Sequence, residues 1–163
     1  MNKDLLITEV DSCLCANRGL LSPEQETQLT QLIIAARESE EDEPLPLELL
    51  RLAKILELKV RDASPDVNSF IIAGRSMWFT PDLRANLRNA IDALEETAEE
   101  SVSFKGITLP INMAKAALSA IERYAAKCAE KTEAHAAAIM ALQSAEDIER
   151  YDITVGYPEI PEF

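Results

Sequence analysis

Apolar residues recur along most of this chain at steps of three and four, the spacing that places side chains on one face of an α-helix. In the longest run, from Pro110 to Leu142, the stripe is Leu118, Ile121, Ala125, Cys128, Thr132, His135, Ile139 and Leu142. No glycine or proline follows Pro110 in this run. Such a stripe is stable only when covered, so the segment is expected to be a central helix on which other elements pack. Its 33 residues would reach roughly 50 Å, against a diameter of roughly 40 Å for a compact chain of this length. With no interior glycine or proline to kink it, an elongated molecule is expected rather than a bent helix.

The N-terminal third carries three shorter helical patterns. Leu5, Leu6, Val10, Cys13 and Leu14 predict a first helix ended by Asn17-Arg18-Gly19, the glycine being a natural stop. Ser22-Pro23-Glu24-Gln25 combines an N-cap, a first-turn proline and a glutamine three residues on, and opens a second helix burying Leu29, Leu32, Ile33 and Ala36. That helix fails in the acidic run from Glu38 to Glu43, before Pro44 and Pro46, and the run reads as a solvated loop. A third helix, Leu47 to Val60, has Leu49, Leu52, Ala53, Leu56 and Val60 on one stripe. Leu45, Leu50, Ile55 and Leu58 fall outside it. The helix is therefore either central to an N-terminal bundle or a partner surface, with those four residues as the candidate surface.

Arg61 to Asp66 is polar and contains Pro65, which marks a boundary. Beyond it the period shortens. Phe70 to Ala73 and Met77 to Phe79 flank Gly74-Arg75-Ser76, and Ser101 to Phe104 and Ile107 to Leu109 flank Lys105-Gly106; both patterns predict hairpins. Between them Thr80-Pro81-Asp82 starts a helix with Leu83, Leu87, Ile91 and Leu94 on its buried side. Pro110 is expected to open the central helix, and Ser144 to Asp147 to cap a final short one. The tail from Tyr151 to Pro158 is expected to be extended and to end as a surface strap or to fray. The predicted fold is mostly α, of α+β class: a long central helix with two short β-hairpins plus an N-terminal helical unit. The predicted domains are 1–62 and 66–163.

Composition narrows the functional classes. At 163 residues, with 47% hydrophobic and 28% charged side chains, the chain can build a sizeable core. No run approaches the roughly 18 apolar residues of a spanning helix, and the start Met-Asn-Lys-Asp-Leu-Leu-Ile lacks the pattern of a secretion signal. An intracellular product without membrane contact is expected. Sixteen basic against twenty-nine acidic residues give a formal charge of −13, which opposes direct binding to a nucleic-acid backbone. The charge suits an ordinary acidic protein, or an acidic decoy for the basic groove of a nucleic-acid enzyme. Cys13, Cys15 and Cys128 are too few and odd in number for a disulfide framework. Cys13 and Cys15 lack a second ligand pair for zinc, and read as small apolar side chains.

Trp78-Phe79-Thr80-Pro81-Asp82-Leu83-Arg84, with Leu87 and Ile91, is followed by Tyr124, Thr132, His135 and Ile139, then by Glu146 and the ending Tyr151-Asp152-Ile153-Thr154-Val155-Gly156-Tyr157-Pro158. In this order and spacing, about residues 67–158 resemble a domain-of-unknown-function family of small phage and prophage tail-associated proteins. The resemblance implies a protein of tails or their assembly, with phage tail or other virion proteins as partners, located in the host cytoplasm during assembly, with a place in the virion left open. It brings no catalytic residues and no cofactor. The positions it marks as structural are Trp78, Arg84, Tyr124, Thr132, His135, Tyr151, Asp152 and Tyr157.

The residues themselves offer little chemistry. His135 is the only histidine, and Cys128 lies two helical turns away, roughly 10 Å by rise, too far for a nucleophile and base without a third element between them. A packing contact with a hydrogen bond, to the segment around Asp152 or to a hairpin backbone, is expected there rather than a metal, pH-switch or catalytic role. Trp78 beside Phe79 could anchor a partner, but adjacent strand residues face opposite ways, so at least one should enter the core. Four glycines in all, at 19, 74, 106 and 156, leave no phosphate-binding loop. A non-enzymatic structural or tail-assembly protein acting through protein contacts, with homo-oligomerisation open to it, is the expectation. The alternative is an acidic phage-encoded inhibitor of a host defence or nucleic-acid enzyme.

Overall fold

The computed structural model describes residues 3–40, 43–72 and 74–163; Ala73, expected in the first hairpin, and Glu41 and Asp42 of the acidic run lie outside them. In chain order the elements are α1 (Lys3–Ala16), α2 (Pro23–Glu38), α3 (Leu47–Asp62), α4 (Pro65–Asn68), β1 (Ser69–Ile72), β2 (Arg75–Trp78), α5 (Pro81–Glu96), β3 (Ser101–Phe104), β4 (Ile107–Pro110), α6 (Ile111–Ala141) and α7 (Ala145–Arg150). The fold is mostly α with two antiparallel hairpins, a long helix and an N-terminal helical part, as the hydrophobic pattern predicts.

The chain divides into two compact units, Met1–Asp62 with Lys131–Val155, and Ala63–Glu130 with Gly156–Phe163. The first break coincides with the polar stretch near residue 62. The single domain expected over 66–163 is corrected, because the last part of α6, with α7, belongs to the unit built from the N-terminal helices. The reason lies in packing: Ile139 is buried, and Ala136 half-buried, among side chains of α1, α2 and α3.

In the first unit, Ser22 Oγ accepts from Gln25 N (3.3 Å) while Gln25 Oε1 accepts from Ser22 N (3.1 Å), the reciprocal cap foreseen for α2. α3 packs against α1, α2 and α7, and its Leu49, Leu52, Ile55, Leu56 and Leu58 are all buried. Arg51 ties α3 to the end of α6: its Nε donates to Leu142 O at 3.0 Å, and its Nη2 donates to the same oxygen. Carbonyls in a last helical turn lack intrahelical partners and sit at the negative end of the dipole, so a guanidinium suits them.

In the second unit, Phe70 and Ile72 of β1, Val102 of β3 and Ile107 of β4 are buried with Leu87 and Ile91 of α5 and with Ile111, Ala114, Leu118, Ile121, Tyr124 and Cys128 of α6. The hairpins form separate two-stranded sheets, paired Ser69↔Trp78 to Ile72↔Arg75 and Ser101↔Pro110 to Phe104↔Ile107. The Lys105-Gly106 turn has φ of 51° and 78°, the double positive φ of a tight type I′ connection. Pro110 closes β4 instead of opening α6; lacking an N–H, it is tolerated at a strand end. Edge-to-face contacts link Phe70 with Tyr124 (centroids 5.5 Å apart) and Phe79 with Phe104 (5.7 Å).

Two further expectations change. Ser64-Pro65-Asp66 opens a one-turn helix, α4, where a plain break was expected. The tail is not extended throughout: Ile153–Gly156 forms a turn in which Asp152 Oδ1 accepts from Thr154 N (2.8 Å) and Thr154 Oγ1 (2.6 Å). The closing residues act as a strap, with Phe163 N donating to Ile71 O at 3.0 Å and Glu162 bridging to Ile71 in parallel.

Truncating Leu52 or Ile121 to alanine should cost about 2–5 kcal/mol each, from lost burial plus the cavity left behind. Ser22→Ala should cost about 1 kcal/mol through the lost cap. Urea unfolding of the three variants checks both magnitudes.

Candidate functional site

Two features of the first unit stand out, a buried polar seam along the end of α6 and an open apolar groove over α3. The seam holds the two polar residues of the α6 stripe, Thr132 at 1% exposure and His135 at 2%. A polar group buried this deeply needs partners. Thr132 Oγ1 donates to Asp62 Oδ1 at 3.0 Å. His135 Nδ1 lies 2.8 Å from the Tyr151 hydroxyl and Nε2 lies 3.0 Å from Val155 O. A carbonyl can only accept, so in the neutral ring the proton sits on Nε2 and Nδ1 accepts from Tyr151. The Tyr151 ring also meets the imidazole edge-on, with centroids 5.6 Å apart. His135 thus fastens the segment after α7, whose Ile153 enters the same core.

Asp152, beside this seam, is exposed. The two hydrogen bonds from Thr154 hold its carboxyl below its ordinary value, and the nearby His135 and Lys54 act in the same direction. A depressed carboxyl favours the fold above its unfolded-state value and loses that contribution as pH falls through the folded one.

The groove is formed by α1, α3, α7 and the residues preceding α3. Leu50, Ala53, Leu56 and Val60 make its floor, and Leu6, Val10 and Cys13 of α1 one wall. Ala145 and Ile148 of α7 line it too, as do Pro44 and Leu45 ahead of α3. Its volume is about 640 Å³, within the roughly 300–1,000 Å³ typical of binding clefts. Charged residues rim it, namely Glu9, Glu43, Glu57 and Glu149 with Lys3 and Lys54.

Of the four residues expected on a partner surface, Leu45 and Leu50 line this groove. Ile55 and Leu58 do not, and that expectation is corrected: both are buried, because α3 is covered on that side as well. Leu6, Val10, Cys13, Ala53 and Val60, expected on buried helix faces, do pack in or against the core and also line the groove. The signal that could have found them is the breadth of the apolar surface on α3.

Of the resemblance positions in the first unit, Thr132, His135 and Tyr151 meet in the seam. In the second unit Tyr124 and Tyr157 pack in or against the core. Arg84 faces Glu122, with Nε and Oε1 3.8 Å apart, and Arg88 reaches the same carboxylate at 2.9 Å. Phe79 is buried, and Trp78 is 51% exposed, so core packing holds for one of the pair and not for the tryptophan. Cys13 and Cys15 sit about 200° apart around α1, and Cys15 is exposed rather than packed. Cys128 is buried in the second unit and His135 in the first.

Compared with protein-family models, curated proteins and solved structures, the chain matches none of them.

Tyr151→Phe should cost about 1–3 kcal/mol by leaving Nδ1 of a buried ring without its donor, and should speed tryptic cleavage after Arg150; urea unfolding and limited proteolysis read the two effects. In an NMR titration the Asp152 carboxyl should have a midpoint below that of an ordinary aspartate, and Thr154→Val should move it upward.

Proposed function

We propose that the protein works by protein–protein contact, as a structural or tail-assembly component of a phage or prophage, and that it is not an enzyme. The observation that carries the contact role is the open groove over α3. A half-exposed apolar trough of about 640 Å³ on an otherwise highly charged chain is the kind of surface that a partner covers.

The phage assignment is supported by the resemblance over residues 67–158. Five of its eight marked positions serve packing: Tyr124 and Tyr157 in one unit, and Thr132, His135 and Tyr151 in the other. Both ring nitrogens of the only histidine are engaged by its own chain. Within this reading the N-terminal helices, which lie outside the resemblance, supply most of the partner surface, and tail or other virion proteins supply the partner.

Mass spectrometry of purified particles and of tail-assembly intermediates should find the protein in one or both, and light scattering should give the mass of the complex. Its absence from both would overturn the proposal. A salt-sensitive complex with a basic host enzyme would instead favour the acidic-inhibitor role.

A further inference from the structure

The groove over α3 has a length, a wall chemistry and a rim charge that together select one class of occupant. From Leu50 to Val60 its floor runs eleven residues of α3, about 15 Å or three helical turns. Floor and walls present side chains rather than free backbone groups, since the groove is made largely of helices. A docked segment therefore cannot be held by strand addition. It must bring its own satisfied backbone and an apolar stripe, as an amphipathic helix does.

The rim supplies the sign of its charge. Lys3 Nζ is engaged with Ser39 Oγ at 2.7 Å and Glu40 O at 2.6 Å, and Lys54 Nζ is paired with Glu57 at 2.9 Å. Glu9, Glu43 and Glu149 are exposed and form no ion pair among the described residues. The neutral partners of Lys3 leave its charge in place, so the trough presents an apolar floor and a rim of net negative charge, three unpaired carboxylates against one ammonium. An anionic ligand or a second copy of this chain, at −13, would meet like charge there.

We infer that the groove formed by α1, α3 and α7 receives a basic amphipathic helix of about three turns from a partner protein, its apolar stripe on the half-buried Leu50, Ala53 and Val60 and its lysines or arginines against Glu9, Glu43 and Glu149. The inference deepens the contact role proposed above and rests on it, without depending on the partner's being a tail protein.

The test is a fluorescence-anisotropy titration of the full chain with a labelled model helix of about fourteen residues, carrying leucines at i, i+3, i+4 and i+7 and lysines on its flanks. A second peptide keeps the leucines and replaces the lysines with glutamates. Saturable one-to-one binding of the basic peptide is expected, at least about tenfold tighter than the acidic one, and weakened by salt. Ala53→Arg, which places a cation on the floor, should weaken it at least about tenfold, as should Glu9→Lys with Glu149→Lys on the exposed rim. Glu96→Lys, in the other unit, is the control and should change little. Circular dichroism and thermal melting confirm that each variant is folded.

Equal affinity for the two peptides, no binding, or binding indifferent to the groove variants would overturn the inference. So would uptake of dodecanol in place of peptide, or a light-scattering dimer that Ala53→Arg dissociates. Peptide binding without any copurifying tail protein would sink the tail-assembly reading and leave the groove assignment standing. A tail complex undiminished by Ala53→Arg would do the reverse.

Discussion

The apolar side of α6 has to be covered along all 31 of its residues, and no other element is long enough to do it. The chain meets this constraint with two different sets of neighbours. The hairpins and α5 cover Ile111 to Cys128, whereas the N-terminal helices and the segment after α7 cover Ala136 and Ile139. The sequence order of the units follows: the second is inserted between α3 and the last third of α6, and the first is closed only once the chain has returned to it. Arg51 on the Leu142 carbonyl and Asp62 on Thr132 are the polar closures of that return.

The chemistry of the stripe changes along the helix. Where hairpins cover it, aliphatic and aromatic side chains fill the contact. Where the returning tail covers it, Thr132 and His135 are buried as well, and an apolar stripe turns into a directional one. Apolar contacts alone would let a short segment slide; one hydrogen bond accepted and one donated by the same imidazole fix Tyr151 and Val155 at once. Ile153 adds burial between them. That combination of a buried anchor and directional bonds on either side holds the short stretch from Tyr151 to Val155 in the first unit.

Much of this architecture was legible in the sequence because it is written in local chemistry. Periodicity located the long helices, Ser22, Thr80 and Ser144 marked helix starts through their hydroxyls, and Lys105-Gly106 marked a hairpin. Pairing information was not local. Nothing in the periodicity of α6 distinguishes residues that face hairpins from residues that face N-terminal helices, so the unit boundary inside the helix was missed. The turn at Ile153–Gly156 was missed for a different reason: Asp152 and Thr154 favour it through side-chain bonds two residues apart, a signal weaker than the apolar and proline pattern around them. The site was half legible. An excess of apolar residues on α3 foretold an exposed surface, but which of them remained exposed depended on the neighbours of that helix.

Those neighbours explain why a groove exists at all. α3 is apolar on more than one side, and burying all of that surface would take a fourth long helix. The chain offers α7 instead, six residues long, which contributes Ala145 and Ile148 and leaves the floor between Leu50 and Val60 open. An open apolar floor is an aggregation hazard in a concentrated solution, and the carboxylates around it answer that hazard by keeping like-charged copies apart. The same carboxylates bias what can enter. A rim that repels its own kind when the groove is empty attracts a basic flank when one arrives, so solubility and selectivity both follow from placing Glu9, Glu43 and Glu149 beside side chains that the fold leaves uncovered.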